Sequence, residues 1–205
     1  PTLFTHLSHI APDNVFDGVA FESVAFLDGI ENASRQGNGC NFVQAAVGAA
    51  LLPIGVLMLG FIIQGSSEEL LFRGWLMQLI ASRHGLWIAV VVNSALFGLA
   101  HAGNIEPSNE LYVGLANIVL FGLFISLYAV REGSLWGVCG WHAAWNWLLA
   151  VGFEVPVTGL DTKMPALLVK LVPQGSHWLN GGTQGPEGSV LCGLFFIVAI
   201  VWLLW

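Results

Sequence analysis

The chain has 205 residues, 56% of them hydrophobic and 9% charged, with a mean hydropathy of +0.74. A soluble domain carries about a quarter charged residues, so this composition excludes an ordinary water-facing surface and predicts an integral membrane protein. The formal net charge is −7 with only six Lys and Arg, which leaves no basis for a nucleic-acid-binding face.

Residues 1–40 form the most polar part and are expected to be a segment of their own, the remnant of a longer N-terminal region. The chain opens "PTLFTHLSHI", with neither Met nor a signal-peptide pattern, so its start is expected to be processed or missing. Within the segment, "VFDGVAFESVAFLDGI" reads as an amphipathic surface helix or the end of a cut element. Residues 41–205 are expected to be one all-α membrane domain. Five uncharged runs, 41–63, 85–103, 111–130, 133–153 and 188–205, are each read as crossing a hydrocarbon core of ~30 Å, the first kinked at Pro53. Residues 68–83 make a sixth helix by the spacing of Leu70, Leu71, Trp75, Leu79 and Ile80. The connection 154–187 contains Pro156, Pro165, Pro173 and Pro186, and "MPALLVKLV" within it is expected to be a short interfacial helix. Nine Trp residues fit an aromatic belt. Cys40, Cys139 and Cys192 match no zinc or disulfide spacing.

Ionisable groups in membrane segments are costly and usually line a functional interior. The apolar runs contain few of them. "SSEELLFRGW" supplies Glu68, Glu69 and Arg73, "FGLAHAGN" supplies His101, and "GWHAAWNW" supplies His142 and Asn146. Residues four apart share a helix face, so Glu69 and Arg73 are placed to pair, and His142 lies on one face with Asn146. Glu68 is rotated by about 100° from Glu69 and is left free. Ser66 and Glu69 have capping-box spacing, which predicts a chain reversal at 64–67 and a helix that starts just before the acids. Tracing the runs back and forth then brings Glu68, both histidines and Asn146 to similar depth in one polar cavity within a bundle of transmembrane helices. Each piece has a plainer reading. The acids and arginine could be a capped helix start with a salt bridge, His101 a satisfied core residue, and His142 with Asn146 glue between helices.

"EELLFR", "FGLAH" and "HAAWN" resemble the motifs EExxxR, FxxxH and HxxxN of the CPBP (CAAX protease and bacteriocin-processing, or Abi) family of glutamate intramembrane proteases, which includes the type II CAAX prenyl protease. "GGTQGPEGS" resembles a Gly-rich stretch after the third motif of many bacterial members. The resemblance runs from about residue 64 to the end. It implies that Glu68, assisted by His101, activates a water for attack on a peptide carbonyl, and that His142 and Asn146 stabilise the oxyanion. Glu69 and Arg73 would then orient or support the site. No cofactor is expected.

Three functions compete: a glutamate-dependent intramembrane endopeptidase acting on a membrane-associated protein or peptide, a zinc-dependent membrane protease using the same Glu and His residues, and a non-catalytic membrane scaffold or bacteriocin-immunity protein. The expected location is a bacterial cytoplasmic membrane, with the bilayer itself as a partner and the oligomeric state open. Arg35, Arg83 and Arg131 fall on one side in this trace, which the positive-inside rule makes cytoplasmic. Lys163 and Lys170 fall on the other, towards which the polar cluster would open.

Overall fold

The computed structural model describes residues 39–104, 111–161 and 166–205, with side chains from residue 53 onward apart from residue 104. The N-terminal segment 1–38, with Arg35 and the amphipathic stretch, and the position of Lys163 lie outside the described residues. Among the described residues the secondary structure is helical, with one isolated bridge between Val157 and Leu160.

Helix α1 (Gly39–Glu69) runs without a break into a π-helical stretch, Leu70–Leu76, and then into α2 (Met77–His84). The junction residues Glu69, Leu76 and Met77 all have right-handed helical dihedrals. The reversal expected at 64–67 therefore does not exist, and Pro53 does not end the helix. The cause is local. Ser67 bonds back to the Gln64 carbonyl at 2.8 Å inside the helix, so it caps nothing. Gly65 is buried against the backbone of Ala143, and Glu69, which read as part of a boundary, finds a partner in His142 on a neighbouring helix instead.

The reversal falls at Gly85, whose φ of 84° belongs to the left-handed region open to glycine. Helix α3 (Leu86–His101) returns alongside α2, followed by a 3-10 turn, Ala102–Asn104. Helix α4 (Leu111–Glu132) packs on α3. After Gly133, the Glu132 carboxylate accepts hydrogen bonds from Ser134 (2.8 Å) and the Gly137 amide (3.1 Å), which ties the start of α5 (Trp136–Trp147). A second π-helical stretch, Leu148–Gly152, continues α5, which lies along α1. The short α6 (His177–Asn180) and two 3-10 turns, Gly182–Gln184 and Pro186–Gly188, precede α7 (Val190–Leu204), which packs on α4 and is capped by Ser189 accepting from the Cys192 amide.

The expected interfacial helix at 164–172 is absent over its described part, 166–172. There the chain is an extended strap. The amides of Leu167, Leu168 and Leu171 donate to the carbonyls of Val151, Gly152 and Phe153. A helix end leaves such carbonyls without intrahelical partners, and the strap supplies them from outside, at the cost of its own helix. Lys170 pairs there with Glu154 at 2.5 Å.

Polarity is distributed inside out. Glu69 and Arg73 are fully buried, whereas Ile63, Leu99 and Trp136 are 61%, 67% and 87% exposed. Pro53–His84 and Leu111–Glu132 are long and apolar enough to cross a membrane, while Leu86–His101 and Val190–Leu204 are apolar but shorter. Phe97, Phe121, Phe124, Ile125, Val138 and Phe196 form the main apolar cluster between the helices. Small residues let the backbones close: a Cβ added at Gly122 would lie 3.1 Å from Ser94 on α3, the kind of contact that membrane helices favour. Cys192 is buried and Cys139 half-buried, both with free thiols.

Candidate active site

Two adjacent residues of the long helix hold opposite positions. Glu69 is fully buried and forms an ion pair with Arg73 at 3.1 Å. The π-helical stretch begins at the next residue, a feature frequent at functional sites. Every part of the guanidinium is engaged. Nε donates to Ser126 Oγ (3.2 Å) and the second terminal nitrogen to the Gly122 carbonyl (3.0 Å), both on α4. The ring of Phe97 lies 4.5 Å below the guanidinium carbon, close enough for a cation–π contact. Glu69 Oε1 accepts both from Arg73 (3.1 Å) and from His142 Nδ1 (2.7 Å), while Oε2 has no hydrogen bond and faces the arginine at 3.1 Å. One buried carboxylate thereby ties α1 to α5, while its arginine ties the same helix to α4.

Glu68 faces the other way and its side chain is 27% exposed. Oε1 accepts from Gln64 Nε2 at 2.5 Å. Oε2 is buried and has no hydrogen-bond partner. Facing it are His101 Nε2 at 3.6 Å and His142 Nε2 at 3.9 Å. The tautomers follow from the other side of each ring. His101 Nδ1 lies 2.9 Å from the Phe97 carbonyl, and a carbonyl only accepts, so Nδ1 carries the proton. His142 Nδ1 is fixed as a donor by Glu69 in the same way. In their neutral forms both rings turn an Nε2 lone pair toward Glu68 Oε2. Three acceptors thus converge on one small volume with no donor among them, which is an arrangement that calls for a water or a further proton.

Asn146, 8% exposed, does not touch Glu68 directly. Its Nδ2 donates to Gln64 Oε1 at 3.1 Å, and Gln64 carries the connection to Glu68. Gln64, Ser126 and Phe97 were not among the expected site residues. Gln64 lies four residues before Glu68, the same spacing that marked Glu69 with Arg73, but the reversal expected at 64–67 removed it from that helix face.

The Gly-rich segment 181–189 sits over one end of this group. Asn117 on α4 donates to the Glu187 and Ser189 carbonyls, both at 2.7 Å. The Glu187 carboxylate accepts from Trp145 Nε1 on α5 (2.7 Å) and from the Thr158 amide and hydroxyl. The glycines are required by contact, since a Cβ at Gly185 would lie 2.1 Å from the Pro156 carbonyl oxygen.

Among the described residues no three His, Cys, Asp or Glu side chains are disposed to hold a metal ion. Residues 50–148 match the family model described as "Type II CAAX prenyl endopeptidase Rce1-like". A curated relative, "Uncharacterized protein YyaK" of Bacillus subtilis (strain 168), is 34% identical over 91 residues, 43% of this chain and 30% of the relative. The match therefore covers well under two thirds of that relative's length. No solved structure matches significantly. The family match takes in Glu68, Glu69, Arg73, His101, His142 and Asn146, so the stretch that carries the whole candidate site is similar to the CAAX proteases of the type II prenyl endopeptidase kind.

Proposed function

We propose that the chain is an intramembrane endopeptidase that hydrolyses a peptide bond of a membrane-associated protein or peptide with a water activated by Glu68. The observation that carries this reading is the buried Oε2 of Glu68, without a hydrogen bond and with two imidazole Nε2 atoms turned toward it at 3.6 and 3.9 Å. A water there donates one proton to Oε2 and the other to His101 Nε2, which leaves its lone pairs for a carbonyl carbon. Glu68 takes the proton as the C–O bond forms and passes it to the leaving amine as the C–N bond breaks. The oxyanion receives hydrogen bonds from His142 Nε2–H and from the second Nδ2 proton of Asn146. For His142 to donate from Nε2 while Nδ1–H remains on Glu69, its ring must carry two protons. With that proton the charges of Glu68, Glu69, Arg73 and His142 sum to zero, which suits a site poor in water.

On this reading the apolar helices form a bundle in the bilayer, with Glu68, His101 and His142 lining a polar cavity open to one aqueous face. Arg83 and Arg131 terminate α2 and α4 at the same end, which the positive-inside rule makes cytoplasmic. The site then opens to the other side. A bacterial cytoplasmic membrane is the proposed setting, in line with the bacterial relative.

The test uses purified full-length protein and a fluorogenic peptide library in detergent micelles. Glu68→Gln and His101→Ala are each expected to lower turnover by about 10²–10⁴-fold with unchanged melting. Asn146→Ala should lower kcat by about 10²–10³-fold with KM held. Chelators should leave all rates unchanged. A Glu68→Gln protein with wild-type turnover, or a wild type that cleaves nothing in the library, overturns the reading in favour of a scaffold. Loss of activity to a chelator with recovery on zinc overturns the metal-free mechanism.

A further inference from the structure

Glu68, Gln64 and Asn146 form a hydrogen-bonded row whose direction is fixed by chemistry. A carboxylate only accepts, so Gln64 must present its NH2 group to Glu68 Oε1, at 2.5 Å. Its carbonyl is then turned to Asn146, which must donate, at 3.1 Å. One carboxylate therefore sets the orientation of two amides on two helices. The row exists because Gln64 lies one helical turn before Glu68 and because its neighbour Gly65 lets α5 approach. A Cβ at Gly65 would lie 3.2 Å from the Ala143 amide nitrogen.

We propose that Gln64 is the positioning residue of this site, the group that decides which oxygen of Glu68 acts as base and which face of Asn146 meets the oxyanion. This rests on the endopeptidase reading above. With Oε1 held by Gln64, the free oxygen is Oε2, the one facing both imidazoles. With Gln64 Oε1 accepting one Nδ2 proton of Asn146, the second is the proton left for a substrate. When Glu68 takes a proton on Oε2, Oε1 is still an acceptor, so the row survives the proton transfer. Gln64 itself touches neither water nor substrate. Its effect falls on the transition state, in kcat and not in KM.

The test compares two substitutions in the same micellar library assay. Gln64→Met keeps the length and apolar stem and removes both hydrogen bonds. It is expected to lower kcat by about 10²-fold, the scale of a small misplacement of reacting groups, with KM within about twofold. Gln64→Glu is the sharper variant. As a carboxylic acid it reproduces the row, O–H toward Glu68 and C=O toward Asn146. As a carboxylate it sets a second negative charge beside Glu68. Its kcat should therefore approach wild type at low pH and fall as pH rises, while Gln64→Met stays uniformly low. A purely structural Gln64 would leave the shape of both pH profiles as in wild type. Wild-type kcat in Gln64→Met, or a wild-type pH profile in Gln64→Glu, overturns the proposal. Should Gln64→Met fail to fold, the Gln64→Glu profile decides alone. Glu68→Gln in the same assay separates the two ideas: if it is inactive while Gln64→Met is fully active, only the role of Gln64 falls. If Glu68→Gln is active, the endopeptidase reading falls with it.

Discussion

The two faces of the helix around residues 68 and 69 differ in how their carboxylates are held, one by a fully buried arginine and the other by no cation of fixed charge. On the inward face, Glu69, Arg73, Ser126 and the His142 Nδ1 atom form a closed, ion-paired set, fully buried at the acid and the arginine and cross-linked between α1, α4 and α5, in which Glu69 Oε1 takes both hydrogen bonds and Oε2 only the ion pair with Arg73. On the other face, Glu68 is part-exposed, held at one oxygen only, and surrounded by further acceptors. Burying a charge is tolerable when an opposite charge is buried with it, and a buried carboxylate oxygen that faces no fixed cation calls for an explanation. The same residue type one position apart therefore serves two ends. The ion-paired region holds helices together, and on the proposed function the region around Glu68 keeps a place for water and substrate. His142 belongs to both regions, since its Nδ1 is bound into the closed set and its Nε2 looks into the open one.

The largest effect expected from this contrast is on stability. Glu69→Ala removes the partner of a fully buried arginine and of His142 Nδ1, at a cost of about 3–5 kcal/mol. Glu68→Ala removes a part-exposed side chain with one hydrogen bond and should cost about 1 kcal/mol. Thermal melting of the two proteins in the same detergent checks this. Equal melting temperatures would erase the distinction between the two faces.

A smaller effect tests whether the closed set is structural throughout. Ser126 Oγ accepts from Arg73 Nε at 3.2 Å and from Asn93 Nδ2 at 3.4 Å, with no exposure. Ser126→Ala leaves both donors buried without that acceptor, for about 1–3 kcal/mol of stability. Turnover per folded molecule should be unchanged. A variant that melts like wild type but turns over slowly would move Ser126, and Arg73 with it, to the catalytic side.

What the sequence reveals of this arrangement follows from the range of its signals. Glu69 and Arg73 are legible because i, i+4 spacing is a property of one helix. The freedom of Glu68 is legible by the same rotation. The common depth of Glu68, His101 and His142 was reached along a wrong path. With a reversal placed at 64–67, the acid sat near a helix start. In the structure the helix continues, and the depths agree because Glu68 lies 17 residues before the Gly85 reversal and His101 16 after it. Gln64 was lost to that same misplaced turn. Ser66, Ser67 and two acids resemble a boundary in any chain whose neighbours are unknown, but Ser67 and Glu68 bond to Gln64 on their own helix and Glu69 to His142 on α5. The strap at 166–172 was missed for a related reason. Its apolar pattern suits a helix, but the carbonyls at the end of α5 claim its amides.

The smallest expected effect lies at the seam between the two faces. A Cβ at Gly65 would meet the Ala143 nitrogen at 3.2 Å and His142 Cγ at 3.4 Å, so the neighbouring helix must give by a few tenths of an ångström. Gly→Ala in a helix gains up to about 1 kcal/mol from backbone entropy, and overpacking costs about 1–3 kcal/mol. The two terms largely cancel, so melting should change by only a few degrees. Geometry does not cancel. Shifting α5 lengthens both the 2.7 Å bond from His142 to Glu69 and the 3.1 Å bond from Asn146 to Gln64. Turnover should fall by less than about tenfold, well short of what a misplacement near 1 Å costs, with KM held. Gly60→Ala is the control, because a Cβ there meets nothing within 4 Å on the same helix. It should carry the propensity gain alone and leave kcat untouched. If Gly65→Ala and Gly60→Ala turn over alike, the close approach of α1 and α5 is packing only, and His142 does not transmit the fit of the closed face to the open one.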